Sequence, residues 1–123
     1  MTASNLEEFK ARRERQNRLV LEHADLTTKR FFNLDAAAFQ AGALPPKVKE
    51  LLGLVASTVL RCNDCIAYHV GRCLEEGVSA AEFTEAMGIA LVIGGSITIP
   101  HVRYAYDLWN EAGAFAREGV PEL

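Results

Sequence analysis

Two capping boxes do most to constrain what this chain can fold into. Ser4 is followed three residues on by Glu7, and Ser79 by Glu82. In such a pair the serine hydroxyl accepts from the backbone N–H three residues ahead, and the glutamate accepts from the serine N–H. Each pair therefore marks a helix start. The intervening sequence reads the same way. From Lys47 the apolar residues Val48, Leu51, Leu52, Val55 and Val59 recur at helical spacing. Pro45-Pro46 suits a first helical turn, where a missing N–H costs little. A further helix begins near Cys62 and runs to about Glu76, with Gly77 as its stop. Strand alternation of useful length is missing. Ser96-Ile97-Thr98-Ile99 has the look of a short strand but no partner. The expected fold is all-α, five to six helices in one domain.

The first helix, from Asn5 to about Ala24, carries Leu6, Phe9, Leu19 and Val20 on either side of a charged middle. That makes it a poor core helix. Residues 1–24 are expected to form an arm packing partly on another subunit, and residues 25–118 the helical domain. A second helix over Thr27–Gln40 brings Phe31, Phe32, Leu34 and Phe39, and Gly42 ends it. The Ser79 box opens a helix with Phe83, Ala86, Met87, Ala90 and Leu91, broken at Gly94-Gly95-Ser96. The last helix, Ile99 to Ala116, carries Tyr104, Leu108 and Phe115, and Gly119-Val120-Pro121 frays after it. Trp109 reads as a core or subunit-contact anchor.

Charge narrows the function classes. The formal net charge is −3, giving no electrostatic reason to expect nucleic acid or an anionic membrane. Arg12, Arg13, Arg15 and Arg18 are interleaved with Glu7, Glu8, Glu14 and Glu22. This is a solvated face with i,i+4 pairs such as Glu14–Arg18 rather than a polyanion site. Residues 1–18 lack the apolar core of a secretory signal. The apolar run Met87–Pro100 is shorter than the roughly 20 residues of a membrane span. The expectation is a soluble, cytoplasmic protein, in which a close cysteine pair points to redox or metal chemistry rather than a disulfide framework.

That pair is Cys62-Asn63-Asp64-Cys65. On a helix Cys62, Cys65, His69 and Cys73 follow a 3-4-4 spacing and share one face. At a helix N-terminus the free N–H groups and the helix dipole favour thiolate. The two sulfurs lie within bonding reach, so a sulfenic acid on one is resolved by the other. His69 is placed to take a proton from Cys65, directly or through one water, and Arg61 adds positive charge nearby. Glu50, twelve residues before Cys62, is placed to orient His69 or to act as a base. Zinc is the other chemistry these side chains suggest, but four ligands from 62 to 73 span about 16 Å of helix rise, too far for one tetrahedral ion. No metal or cofactor is expected. Cys73 alone reads as a core or interface cysteine, Tyr68 as core on a different helix face, and His101 and Tyr104 as packing or surface residues near the site.

The pattern Glu50-x11-Cys62-x2-Cys65-x3-His69 resembles the alkylhydroperoxidase D-like branch of the carboxymuconolactone decarboxylase family. The flanking phrases LPPKVKELLGLVAS, CIAYHVGRCLEEGVSAAEFTEAM and IGGS agree, so the resemblance covers about residues 44–105. It implies a helical fold assembled as trimers or hexamers. It also implies a peroxidase in which Glu50 and His69 relay protons for the redox pair Cys62 and Cys65, with a hydroperoxide as substrate and a thiol as electron donor. The family pattern gives peroxide attack to Cys65 and resolution to Cys62, whereas helix-end electrostatics favours Cys62 as the more acidic thiol. Some members carry a histidine between the cysteines. Asp64 stands there in this chain, and an anion raises a neighbouring thiol pKa. Two other readings stay open: a redox-sensing or scaffold protein of the same fold, and a lactone decarboxylase independent of the cysteines.

Overall fold

The computed structural model describes residues 4–115, and among them are six α-helices, one 3₁₀ turn and no strand. Helix α1 (Asn5–His23) starts as its capping box dictates: the Ser4 hydroxyl accepts from the Glu7 N–H, and the Glu7 side chain accepts from the Ser4 N–H. Leu6 and Phe9 of its first turns enter the core of this same chain. Asn5 ties that end down by donating its backbone N–H and its side-chain amide to Glu111, at 3.0 and 2.7 Å. The second half of α1 is solvated and leaves Leu19, Val20 and Leu21 exposed. Glu14 and Arg18 pair at 3.8 Å on that solvated face.

Helix α2 (Leu26–Ala38) is capped by Asp25, whose carboxylate accepts from the Thr28 N–H. It buries no residue at all, and Phe31 and Leu34 are each 66% exposed. The core lies instead among α3 (Pro46–Val59), α4 (Asn63–Glu75), α5 (Ala80–Gly94) and α6 (Ile99–Glu111). Leu54, Ile66, Val70, Phe83, Met87, Leu108 and Trp109 are fully or almost fully buried there. Phe83 and Trp109 stack with ring centroids 4.3 Å apart and planes 7° from parallel. Trp109 is thus a core anchor.

Boundaries differ from the sequence reading where backbone chemistry decides. Helix α4 stops at Glu75, and Gly77 takes a φ of +78°, which a residue without Cβ adopts at little cost. The segment with a strand-like look is a 3₁₀ turn, Ser96–Thr98. There Thr98 turns its hydroxyl back to the Gly95 carbonyl at 2.7 Å, a local bond that competes with extended pairing. Helix α6 ends at Glu111 rather than continuing to Ala116, and Gly113 follows at φ +74°. Ala116 and the frayed tail lie outside the described residues.

Candidate active site

The site begins at the joint between α3 and α4. The N–H of Arg61 donates to the Thr58 carbonyl at 3.1 Å, and that of Cys62 to the Ser57 carbonyl at 3.0 Å. These two bonds close the C-terminus of α3 in a Schellman motif, with Arg61 in the left-handed region at φ +60° where glycine is usual. The reversal takes only Leu60 and Arg61, so Cys62 arrives directly as the N-cap of α4. Its sulfur accepts from the Cys65 N–H at 3.3 Å. Cys62 and Cys65 are disulfide-bonded, with Cα atoms 5.3 Å apart. Cys62 is half-buried and Cys65 exposed.

One turn further along α4 is His69, 8% exposed, facing Glu50 of α3, 1% exposed. Nδ1 of His69 lies 2.9 Å from Oε1 of Glu50. An ionised carboxylate only accepts, so in that state Nδ1 carries the proton and Nε2 is left to face other partners. The ring sits edge-on to Tyr68 at 5.0 Å and tilted against Phe39 at 5.3 Å. Its closeness to α3 depends on Gly53: a Cβ there would lie 2.5 Å from Cε1 of His69. An interior helical glycine costs roughly 1 kcal/mol relative to alanine. Gly53, one turn after Glu50, was the sequence signal for this close approach, and pattern reading passed over it.

Arg72 was also missed. Its Nε stands 3.4 Å from Oε2 of Glu50, Nη2 donates to Glu76 at 2.9 Å, and Nη1 pairs with Glu75. The buried carboxylate therefore has a partner on each oxygen. Only the i+3 and i+4 contacts to Glu75 and Glu76 follow from helix spacing. The contact to Glu50 is interhelical.

Cys65, Tyr68 and His69 line a cleft of about 340 Å³, walled by Phe9 and Arg13 of α1 and by Asp35 and Phe39 from α2 and its end. Tyr68 is half-buried against the core, yet it also forms part of this wall, under the Arg13 guanidinium at 4.1 Å. Burial first, and the Glu50 charge second, push its phenol pKa up. Asp64 is not the isolated anion its place between the thiols suggests. Arg12 holds it with two bonds, at 3.1 and 3.3 Å, so a cation stands against this anion. Cys73 is wholly buried in the core, and desolvation pushes its thiol up to about 12. His101 reaches the motif indirectly, with Nδ1 2.7 Å from Oδ1 of Asn63. The buried Glu50–His69 pair thus lies one helical turn along α4 from the Cys62–Cys65 disulfide.

Fold and site together define a helical protein with a disulfide-forming cysteine pair backed by a buried histidine–carboxylate couple. The chain belongs to the Carboxymuconolactone decarboxylase family, whose profile matches residues 25–108. Two crystal structures of one Thermotoga maritima protein are 52% identical to it. One has a TM-score of 0.86 and covers 92% of this chain and 99% of that one; the other has 0.84, 91% and 95%. The second is described as a carboxymuconolactone decarboxylase family protein and linked, as a possibility, to an antioxidative response. A family member from Legionella pneumophila, 24% identical over 89% of this chain and 97% of its own, shares the fold with a TM-score of 0.77. An uncharacterized Cupriavidus necator protein is 32% identical over 69 residues, 56% of this chain, and the chain spans 58% of that relative's length.

Proposed function

We propose that this chain is a thiol-dependent peroxidase, or a thiol–disulfide oxidoreductase of the same chemistry, cycling Cys62 and Cys65 between dithiol and disulfide. The observation that carries the reading is the buried His69–Glu50 couple, 2.9 Å between Nδ1 and Oε1, one turn behind an exposed Cys65 on a cleft. In the reduced protein His69 takes the Cys65 proton. The Cys65 thiolate attacks one peroxide oxygen of ROOH, the O–O bond breaks, and the leaving alkoxide is protonated to ROH. The Cys65 sulfenic acid is then attacked by Cys62, water leaves, and the disulfide forms. The peroxide gains two electrons and the cysteine pair loses two; an external dithiol restores them. The exposed position of Cys65 on the cleft supports it, rather than Cys62, as the thiol attacked first.

The test is peroxide-dependent thiol loss in pre-reduced protein. Wild type should lose two thiols per peroxide and stop. Cys65→Ser should lose fast peroxide consumption while staying folded, and Cys62→Ser should stall as a sulfenic acid. Full activity in Cys65→Ser would reject the proposal.

The same reading includes self-association and a cytoplasmic setting supplied with thiol donors. Leu60, Val92 and Ile93 are between 66% and 87% exposed, which supports burial against further copies of the chain. Among the described residues no helix is long and apolar enough to cross a membrane. Solution mass should be about three or six times 13.5 kDa, a trimer or a hexamer. A monomer at micromolar concentration would remove this part of the proposal.

A further inference from the structure

We propose that Arg72 is the positioning residue of the relay: by pairing with the second oxygen of buried Glu50, it keeps His69 as the tautomer whose Nε2 can take the Cys65 proton. The inference rests on the reading of His69 as the base for Cys65.

Glu50 is 1% exposed, so water does little to stabilise its charge. Its two oxygens have two partners, Nδ1 of His69 at 2.9 Å and Nε of Arg72 at 3.4 Å. Among the described residues no other cation pairs with it. The other charged and titratable groups near the couple are accounted for. Arg13 of α1 and Asp35 of α2 act on Tyr68, Cys73 lies within reach of the Glu50 and Arg72 charges, and Glu75 and Glu76 hold the outer arms of Arg72. Those outer bonds fix the guanidinium and leave Nε to point inward. A lysine has no planar fork with which to meet three carboxylates at once.

The proton count follows from charge balance. With Arg72 present, a cation stands against the buried Glu50 charge while the more solvated Glu75 and Glu76 take its outer arms, and the couple needs one proton, on Nδ1. Without Arg72 the buried couple carries an unmatched negative charge, and the cheapest relief is one more proton. If Glu50 takes it, the acid donates to Nδ1 and the ring proton moves to Nε2. If His69 takes it, the imidazolium also carries a proton on Nε2. Both routes block the nitrogen that should act as base.

The decisive measurement is nitrogen NMR of histidine-labelled full-length protein in its dithiol form, near neutral pH. Wild type should show His69 with a bare Nε2. Arg72→Met and the more soluble Arg72→Gln should show a protonated Nε2. In both, the acid limb of the thiol-oxidation rate should move up by at least about one pH unit, approaching a tenfold loss well below the pH where it begins. Arg72→Lys should restore part of the shift by charge alone. A purely structural role would leave the His69 nitrogens unchanged in any folded variant. A folded Arg72→Gln with bare Nε2 and an unmoved limb overturns the inference, as does a protonated Nε2 in wild type. Because the nitrogen signal needs no peroxide, a wild type that consumes none would reject the proposed function and leave this test readable.

Discussion

Helix α2 and the four helices that follow it use apolar residues in opposite ways, and α1 is divided between them, with Leu6 and Phe9 buried and Leu19, Val20 and Leu21 exposed. Helices α3 to α6 bury Leu54, Ile66, Phe83 and Trp109 completely, whereas α2 buries nothing and leaves Phe31 and Leu34 two-thirds exposed. Yet α1 and α2 supply Phe9, Arg13 and Asp35 to the cleft wall in front of Cys65 and His69. The core helices thus hold Glu50, His69 and Cys65 in place, and the N-terminal region shapes the cleft in front of Cys65 and His69. Packing is concentrated around Glu50 and His69 and sparse on the N-terminal side of the cleft.

Substitutions should separate the two regions most sharply in stability. Leu54→Ala should cost about 2–5 kcal/mol, while Leu34→Ala in α2 should stay within about 0.5 kcal/mol, both read from chemical denaturation. Equal losses would break the contrast, unless they coincide with a change in oligomer mass.

Alkaline pH should reach the core before the N-terminal helices. Cys73 is held protonated by burial up to about 12, against 9.0 for its ordinary value. Between those values the unfolded chain gives up the thiol proton and the folded one does not, so stability falls as pH rises. At about 1.4 kcal/mol per pH unit, the loss assigned to this thiol reaches up to about 4 kcal/mol. Below pH 9 the contribution is fully present. Cys73→Ala should flatten that limb, and an unchanged difference from wild type across pH 9–12 would remove the claim.

Gly53→Ala should cost about 1–3 kcal/mol, because its Cβ meets the His69 ring at 2.5 Å. It should also slow thiol oxidation. Adding His69→Ala should relieve the stability loss; a strictly additive double variant would place the cost elsewhere. The smallest effect is expected at Arg61→Gly. Removing a Cβ from a left-handed residue should stabilise the joint by under about 1 kcal/mol, once glycine's extra unfolded-state entropy is subtracted.

Much of the helical layout was legible in sequence because its signals are local. The serines at 4 and 79 cap helices with their own neighbours, and Gly77 ends α4 through its own φ. The strand-like residues 96–99 were set aside as a strand for want of a partner, and they form a 3₁₀ turn and the first residue of α6. His69 was singled out by its helical spacing from Cys65, and Glu50 chiefly by the family resemblance; the structure brings the two to 2.9 Å. Their support was not legible: Arg72 meets Glu50 across a helix interface, and Arg12 meets Asp64 across 52 residues. Helical periodicity assigns such arginines to a solvated face and says nothing of the carboxylate they find there. Gly53 left a trace, a glycine inside an amphipathic helix, whose meaning needed the neighbouring helix.

The two-residue joint at Leu60 and Arg61 has a consequence for how this site can vary. Because α3 and α4 meet with no slack, the phase of one helix is geared to the phase of the other. A single inserted residue anywhere from 51 to 68 has to turn a helix by about 100° past its neighbour, be taken up as a π-bulge, or be looped out at the joint itself. The distance of twelve residues from Glu50 to Cys62 is therefore a mechanical setting. Side chains along that stretch can be exchanged, but its length is expected to be intolerant of insertions and deletions.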